Sequence, residues 1–153
     1  MRRVLVQQAP IDITAELEAL GQNGAGAVAS FTGLVRATAN GHPLAALRLE
    51  HYPGMTERAL TRLAKAAQTR WDLSGCTIIH RIGRLTPGET IVLAAAASRH
   101  RAAALAATGF LIDRLKTGAP FWKAEEFTDG TTAWVRARAE DEAAAATWDE
   151  IGG

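Results

Sequence analysis

Ser98–Glu125, SRHRAAALAATGFLIDRLKTGAPFWKAE, is the stretch from which the rest of this chain is read. Its spacing predicts a helix from about Arg99 to Thr117, with Ser98 as N-cap, Gly118 at the C′ position and Pro120 blocking continuation. Leu105, Phe110, Ile112 and Leu115, with the alanines between them, give that helix a broad apolar stripe. The first turn runs against expectation. Arg99, His100 and Arg101 stand where the helix dipole is positive, an arrangement disfavoured by about 0.3–1 kcal/mol per cation. An anion docked on the free N–H groups reconciles the two. The alternative is a solvated turn whose arginines pair with nearby carboxylates.

The other end carries a second signal. Lys116 and Lys123 flank Ala-Pro-Phe-Trp, and the whole chain has three lysines against fourteen arginines. A lysine near apolar rings and other cations has a lowered pKa and can act as acid, base or nucleophile. Read separately, Lys116 complements a helix C-terminus and Lys123 is an ordinary exposed strand residue. Glu125 follows Lys123 on the same strand face and can hold its orientation, or is a plain surface carboxylate. His100 and Lys116 are sixteen residues apart, about 24 Å along a helix. One small ligand cannot touch both in one subunit. If both serve one site, two chains build it, so we expect a homodimer with its pocket at or near the subunit interface.

Working outward, 153 residues suit a single domain. Hydrophobic residues make up 48%, charged ones 22%, and the formal net charge is +1, which argues against a general nucleic-acid or membrane-surface binder. No apolar run reaches transmembrane length, and MRRVLVQQAP lacks the apolar core of a signal peptide. One cysteine, Cys76, excludes an internal disulfide framework and fits a reducing cytoplasm.

Arg3–Gln7 reads as a strand, Asp12 caps a short helix with Ile13, Leu17 and Leu20, and Ala27–Val35 is the next strand, ending at Arg36. ATANGHP after it is a polar loop with an Asn40-Gly41 turn, expected to be mobile. Leu44–Tyr52 alternates as a half-buried strand. Thr56–Trp71 is an amphipathic helix with Leu60, Leu63 and Ala67 inward. Cys76–Ile82 and Thr90–Ala97 are strands around a Thr86–Glu89 turn. Phe121–Phe127 and Thr132–Ala137 form a hairpin around Asp129-Gly130, and Ala139–Trp148 a last short helix. Without strict βαβ alternation, this is α+β with a largely antiparallel sheet and packed helices. The tail from about residue 149, ending Gly152-Gly153, is expected to be flexible.

Metal chemistry is not indicated. His42, His51, His80 and His100 are scattered without ligand spacing, and Cys76 reads as a small core residue. There is no P-loop and no G-x-G-x-x-G.

FTGLVR (Phe31–Arg36), LEHYPGMTE (Leu49–Glu57), IHRIGRLTPGE (Ile79–Glu89), SRHR (Ser98–Arg101) and LKTGAPFWKAE (Leu115–Glu125) together resemble the large, catalytic subunit of molybdopterin synthase. The resemblance runs from about residue 25 to 138. It implies an α/β-hammerhead-type fold and a homodimer within a heterotetramer, capped by small ubiquitin-like sulfur-carrier subunits. The carrier's C-terminal Gly-Gly thiocarboxylate delivers sulfur to cyclic pyranopterin monophosphate (precursor Z), giving the molybdopterin dithiolene without metal or organic cofactor. Position by position it implies Lys116 and Lys123 as the catalytic lysines, and Arg36, His100 and Arg101 as the anion-binding set. Arg138 joins that set, and Phe31 and Ile112 stand at pocket-wall positions, the second often methionine in the family. The rivals are a dimeric sensor of a phosphorylated metabolite, which leaves the lysine pair idle, and an RNA-binding module stacking bases on Phe121 and Trp122, which the net charge disfavours.

Overall fold

The computed structural model describes residues 1–135 and 139–150 of the chain. Its elements are β1 (Arg2–Gln7), α1 (Ile13–Leu20), β2 (Ala27–Leu34), β3 (Thr38–Ala39), β4 (His42–His51), α2 (Met55–Arg70) and β5 (Leu73–Arg81). They continue as β6 (Gly83–Leu85), β7 (Thr90–Ser98), α3 (Arg101–Gly118), β8 (Phe121–Phe127), β9 (Thr132–Val135) and α4 (Ala139–Glu150). The class is α+β. One sheet has the order β1-β5-β7-β2, with β1 parallel to β5 and the other pairs antiparallel. The second runs β3-β4-β8-β9, wholly antiparallel, with β6 added along β4. None of the described helices is long and apolar enough to cross a membrane.

Strand β7, TIVLAAAAS, sits inside the first sheet and is covered on both faces, which is why it reads as an unbroken apolar run. Ala94 packs with Phe110, Leu111 and Leu115 of α3 and Leu60 and Ala64 of α2. Leu93, Ala95 and Ala97 point the other way, onto Leu20 of α1. Alanine side chains let both helix layers approach closely.

Helix α3 departs from the sequence reading at three points. Leu105 is 63% exposed, because the buried stripe is carried by Ala104, Ala107, Thr108, Leu111 and Leu115, and Leu105 falls off that face. Ser98 is not the N-cap. It closes β7, pairing with Ala27 and Leu73, and its hydroxyl donates to the Asp72 carbonyl at 3.0 Å. His100 takes the N-cap place with no side-chain cap bond. Gly118 is the last helical residue and not a left-handed C′, because Pro120 forces the preceding Ala119 into extended backbone (φ −94°, ψ 130°).

Other boundaries shift modestly. The polar stretch after Arg36 contains β3, a hairpin on β4 whose turn is Asn40-Gly41 with φ of 51° and 79°. β6 had no signal beyond three residues. Helix α4 runs into the expected tail: Asp149 pairs with Arg114, Trp148 Nε1 donates to Asp113 at 2.9 Å, and the indole packs edge-on against Trp71 and Phe110. Gly152 and Gly153 lie outside the described residues.

The start of α3 is fixed from behind. Gly26 N–H donates to the Ser98 carbonyl at 2.9 Å, and a Cβ on Gly26 would lie 2.2 Å from the Arg99 carbonyl oxygen. Gly26→Ala is expected to destabilise the fold by about 1–3 kcal/mol through overpacking against backbone, read as a lowered urea midpoint, whereas Gly130→Ala, with nothing near its Cβ but φ of 90°, should cost only the strain of a left-handed residue.

Candidate active site

Between the two sheets and the C-terminal half of α3 lies an open pocket of about 450 Å³. Phe31 to Leu34 of β2, with Val35 and Arg36 just beyond it, form one wall, and Phe121, Lys123 and Glu125 alternate inward on β8. On α3, Ile112, Leu115 and Lys116 share a face at the i, i+3, i+4 spacing. Ile91 and Val92 of β7, Leu44 and Leu47 of β4, Ala39 of β3 and Val135 of β9 complete much of the wall.

Six of the nine residues singled out in the sequence line this pocket: Phe31, Arg36, Ile112, Lys116, Lys123 and Glu125. Phe31 and Ile112 are half-buried wall positions; Arg36 and Lys116 are exposed at the mouth, with Lys123 and Glu125 half-buried. Three cations against one carboxylate make the pocket electropositive, suited to an anionic ligand. His100 and Arg101 do not line it. They are exposed at the other end of α3, whose first turn carries no acidic residue. Among the described residues neither Arg99 nor Arg101 makes an ion pair, so the solvated-pair alternative for that turn finds no carboxylate there. Arg138 lies outside the described residues.

Arg36 is aimed by a clip that composition gave no hint of. Val35 beside it donates to the Glu89 carbonyl and accepts from Gly88 N–H, both at 2.9 Å. That Thr86–Glu89 turn is closed by the Glu89 carboxylate, which accepts from the Thr86 N–H (2.6 Å), the Thr86 hydroxyl (2.9 Å) and Arg81 Nη1 (3.2 Å). The Thr86 backbone N–H, then its hydroxyl and Arg81, hold the Glu89 carboxyl below the usual range. Arg81 is itself buried and donates to the Gln8 carbonyl.

His80 is the pocket residue sequence reasoning passed over. As one of four scattered histidines it carried no spacing signal; only strand pairing brings it to the pocket. Its ring stacks on Phe121 at 3.8 Å between centroids and 19° between planes. Nδ1 lies 2.8 Å from the Arg81 carbonyl. A carbonyl only accepts, so the proton sits on Nδ1 and Nε2 is the acceptor nitrogen of a neutral ring. Burial lowers its pKa to about 3, opposed by the Arg81 carbonyl bond and reinforced by the charges of Lys123 and His51. Cys76 is buried under α2 and α3, and desolvation pushes its thiol up to about 12, which suits packing rather than nucleophilic work. Among the described residues no three His, Cys, Asp or Glu side chains are grouped to hold a metal ion.

An electropositive pocket walled by β2, the end of α3 and β8 is thus in place, and the chain matches the MoaE protein family over residues 6–118. The chain belongs to the MoaE family. Its relatives include the molybdopterin synthase catalytic subunit of Brucella melitensis biotype 1, 51% identical over 96% of this chain and 91% of that one. The counterpart from Pseudomonas aeruginosa is 51% identical over 96% of this chain and 99% of that one. Among solved structures, the MoaE protein of Burkholderia ambifaria superposes with a TM-score of 0.83 at 44% identity, covering 97% of this chain and 99% of that one. A molybdopterin synthase chain from Staphylococcus aureus gives 0.81 at 32%, covering 86% and 95%. At 20% identity and a TM-score of 0.74, a chain of the complex of subunits 1 and 2 of the Helicobacter pylori molybdopterin-converting factor shares the fold, over 88% of this chain and 91% of that one.

The neutral His80 makes the MoaE fold acid-sensitive in a definite direction. Its folded pKa lies below the ordinary 6.5, so between those values the unfolded chain binds a proton that the native one does not, and stability falls as pH drops. Urea unfolding is expected to lose about 1.4 kcal/mol per pH unit from this group below pH 6.5 and nothing above 7.5, with the slope reduced by one proton in His80→Gln.

Proposed function

We propose that this chain is the catalytic subunit of a molybdopterin synthase, a sulfurtransferase that builds the dithiolene of molybdopterin. The observation that carries this reading is the meeting of Arg36, Lys116 and Lys123 in one pocket of a MoaE-family chain. The donor is the C-terminal Gly-Gly thiocarboxylate of a small ubiquitin-like carrier subunit, and the acceptor is cyclic pyranopterin monophosphate. Both partners are anionic, so their approach is opposed until cations neutralise it. In a half-buried pocket, fixed ammonium and guanidinium groups act at lower dielectric than in water and need no reorganisation as charge develops.

Lys116, at the exposed lip, meets the incoming thiocarboxylate and stabilises charge on its carbonyl oxygen or on the thiolate. It also moves the proton that the transfer requires. Lys123, deeper on β8, contacts the pterin, with Glu125 beside it holding orientation. Arg36 takes part of the substrate's anionic charge. Phe31 and Ile112 wall the ring. His100 and Arg101 come from a second copy of the chain, since α3 separates them from Lys116 by about 24 Å. Arg138 joins the same anion set. The assembly is a homodimer with a carrier at each end, and its place is the cytoplasm, where a lone buried thiol such as Cys76 stays reduced.

Lys116→Ala is expected to lower molybdopterin formation by about 10²–10³-fold, corresponding to about 2.7–4 kcal/mol in the barrier. The assay is production of dithiolene from precursor Z and thiocarboxylated carrier, with dimerisation and carrier binding followed in parallel and expected to be unchanged. Wild-type turnover by that variant removes the lysine from the mechanism.

A further inference from the structure

Two polar side chains that the sulfur transfer leaves unused are buried more deeply than any of the pocket cations. Thr56, in the first turn of α2, is 0% exposed, and His80, on β5, is 2% exposed. They come from different elements and both end on residues 119–121, the turn joining the helix of Lys116 to the strand of Lys123.

The Thr56 hydroxyl accepts from Tyr52 N–H at 3.0 Å and donates to the Pro120 carbonyl at 2.9 Å. A hydroxyl has one hydrogen, and here it is committed to a residue 64 positions away. A threonine that served only the start of α2 would need the Tyr52 bond alone. From the other side the His80 ring lies flat on Phe121 and is itself fixed by its Nδ1 bond to Arg81. The turn has little to stiffen it from within. Pro120 has no N–H to donate, α3 ends without a left-handed cap, and the turn's own bond is Phe121 N–H to the Ala119 carbonyl at 2.9 Å.

We propose that Thr56 and His80 are positioning residues which clamp turn 119–121 from two sides and so set where Lys116 and Lys123 stand relative to each other. The clamp fixes the ends of both elements at once. Its catalytic consequence rests on the functional reading above; the clamp itself does not.

Competitive trace acetylation of the whole protein with acetic anhydride, read by peptide mass spectrometry, tests this with an internal standard. Lys65, on the exposed side of α2, is the chain's third lysine. Thr56→Val keeps the β-branched shape and removes the hydroxyl. It is expected to change the Lys116:Lys65 and Lys123:Lys65 labelling ratios by about twofold or more, since an amine's reactivity follows its surroundings. In turnover assays kcat should fall about tenfold or more while KM for the pyranopterin stays nearly constant, a misplaced catalytic group being costly even at small displacement. Thr56→Ser, which restores the hydroxyl, should return both readouts. His80→Ala should shift the ratios as well, and it carries the labelling test if Thr56→Val does not fold. Wild-type ratios in Thr56→Val and His80→Ala overturn the clamp whatever the activity. Shifted ratios in a protein whose wild type forms no dithiolene uphold the clamp and overturn the functional reading instead.

Discussion

Close packing of α3 on β7 is the contact from which the rest of the molecule takes its geometry. The alanine run of β7 has no side-chain bulk to hold a helix away, so Phe110, Leu111 and Leu115 reach the sheet and exclude water from it. The same strand faces α1 through Leu93, Ala95 and Ala97. A helix seated this firmly presents both of its ends in fixed places. One end carries His100 and Arg101 out into solvent; the other carries Lys116 to the mouth of a pocket.

From that anchor the second sheet completes the site. Pro120 ends α3, and β8 then adds Phe121, Lys123 and Glu125 to the pocket on one face, while β4 pairs along it. Arg36 arrives independently, at the end of β2, held by the Thr86–Glu89 turn and the buried Arg81 behind it. The cations thus come from three separate elements. Their mutual repulsion is tolerated because each is fixed by its own backbone, which is also what preorganised electrostatic stabilisation requires.

Electrostatics divides the site into charged and neutral parts. The charges are partly open to solvent, where hydration limits the cost of bringing like charges together. Deeper in, His80 is held neutral by burial beneath Phe121. A charged imidazole there would add a further cation to an already positive pocket without solvent to relieve it, so the floor stays uncharged and the lip carries the charge.

Much of this was legible in the residues. The α+β class, a helix expected from about Arg99 to Thr117, the Asp129-Gly130 hairpin and the lysine pair follow from periodicity, turn chemistry and the scarcity of lysine, because those are local properties. The motifs FTGLVR and LKTGAPFWKAE likewise located pocket residues whose spacing along the chain is short. Local reasoning failed where a tertiary contact outweighed a local preference. Ser98 is a good cap by type, yet strand pairing and the close approach of Gly26 keep it in β7. Leu105 is apolar, yet alanines hold the buried face and leave it outside. Thr56, His80, Arg81 and Glu89 lie within motifs that carry the family resemblance yet had no role legible in them, since each matters through a tertiary partner, 64 residues away for Thr56. A sequence can specify which residues are chemically able to serve; which of them share a cavity depends on sheet register and helix seating, and those are decided by the sum of many packing contacts rather than by any one stretch of chain.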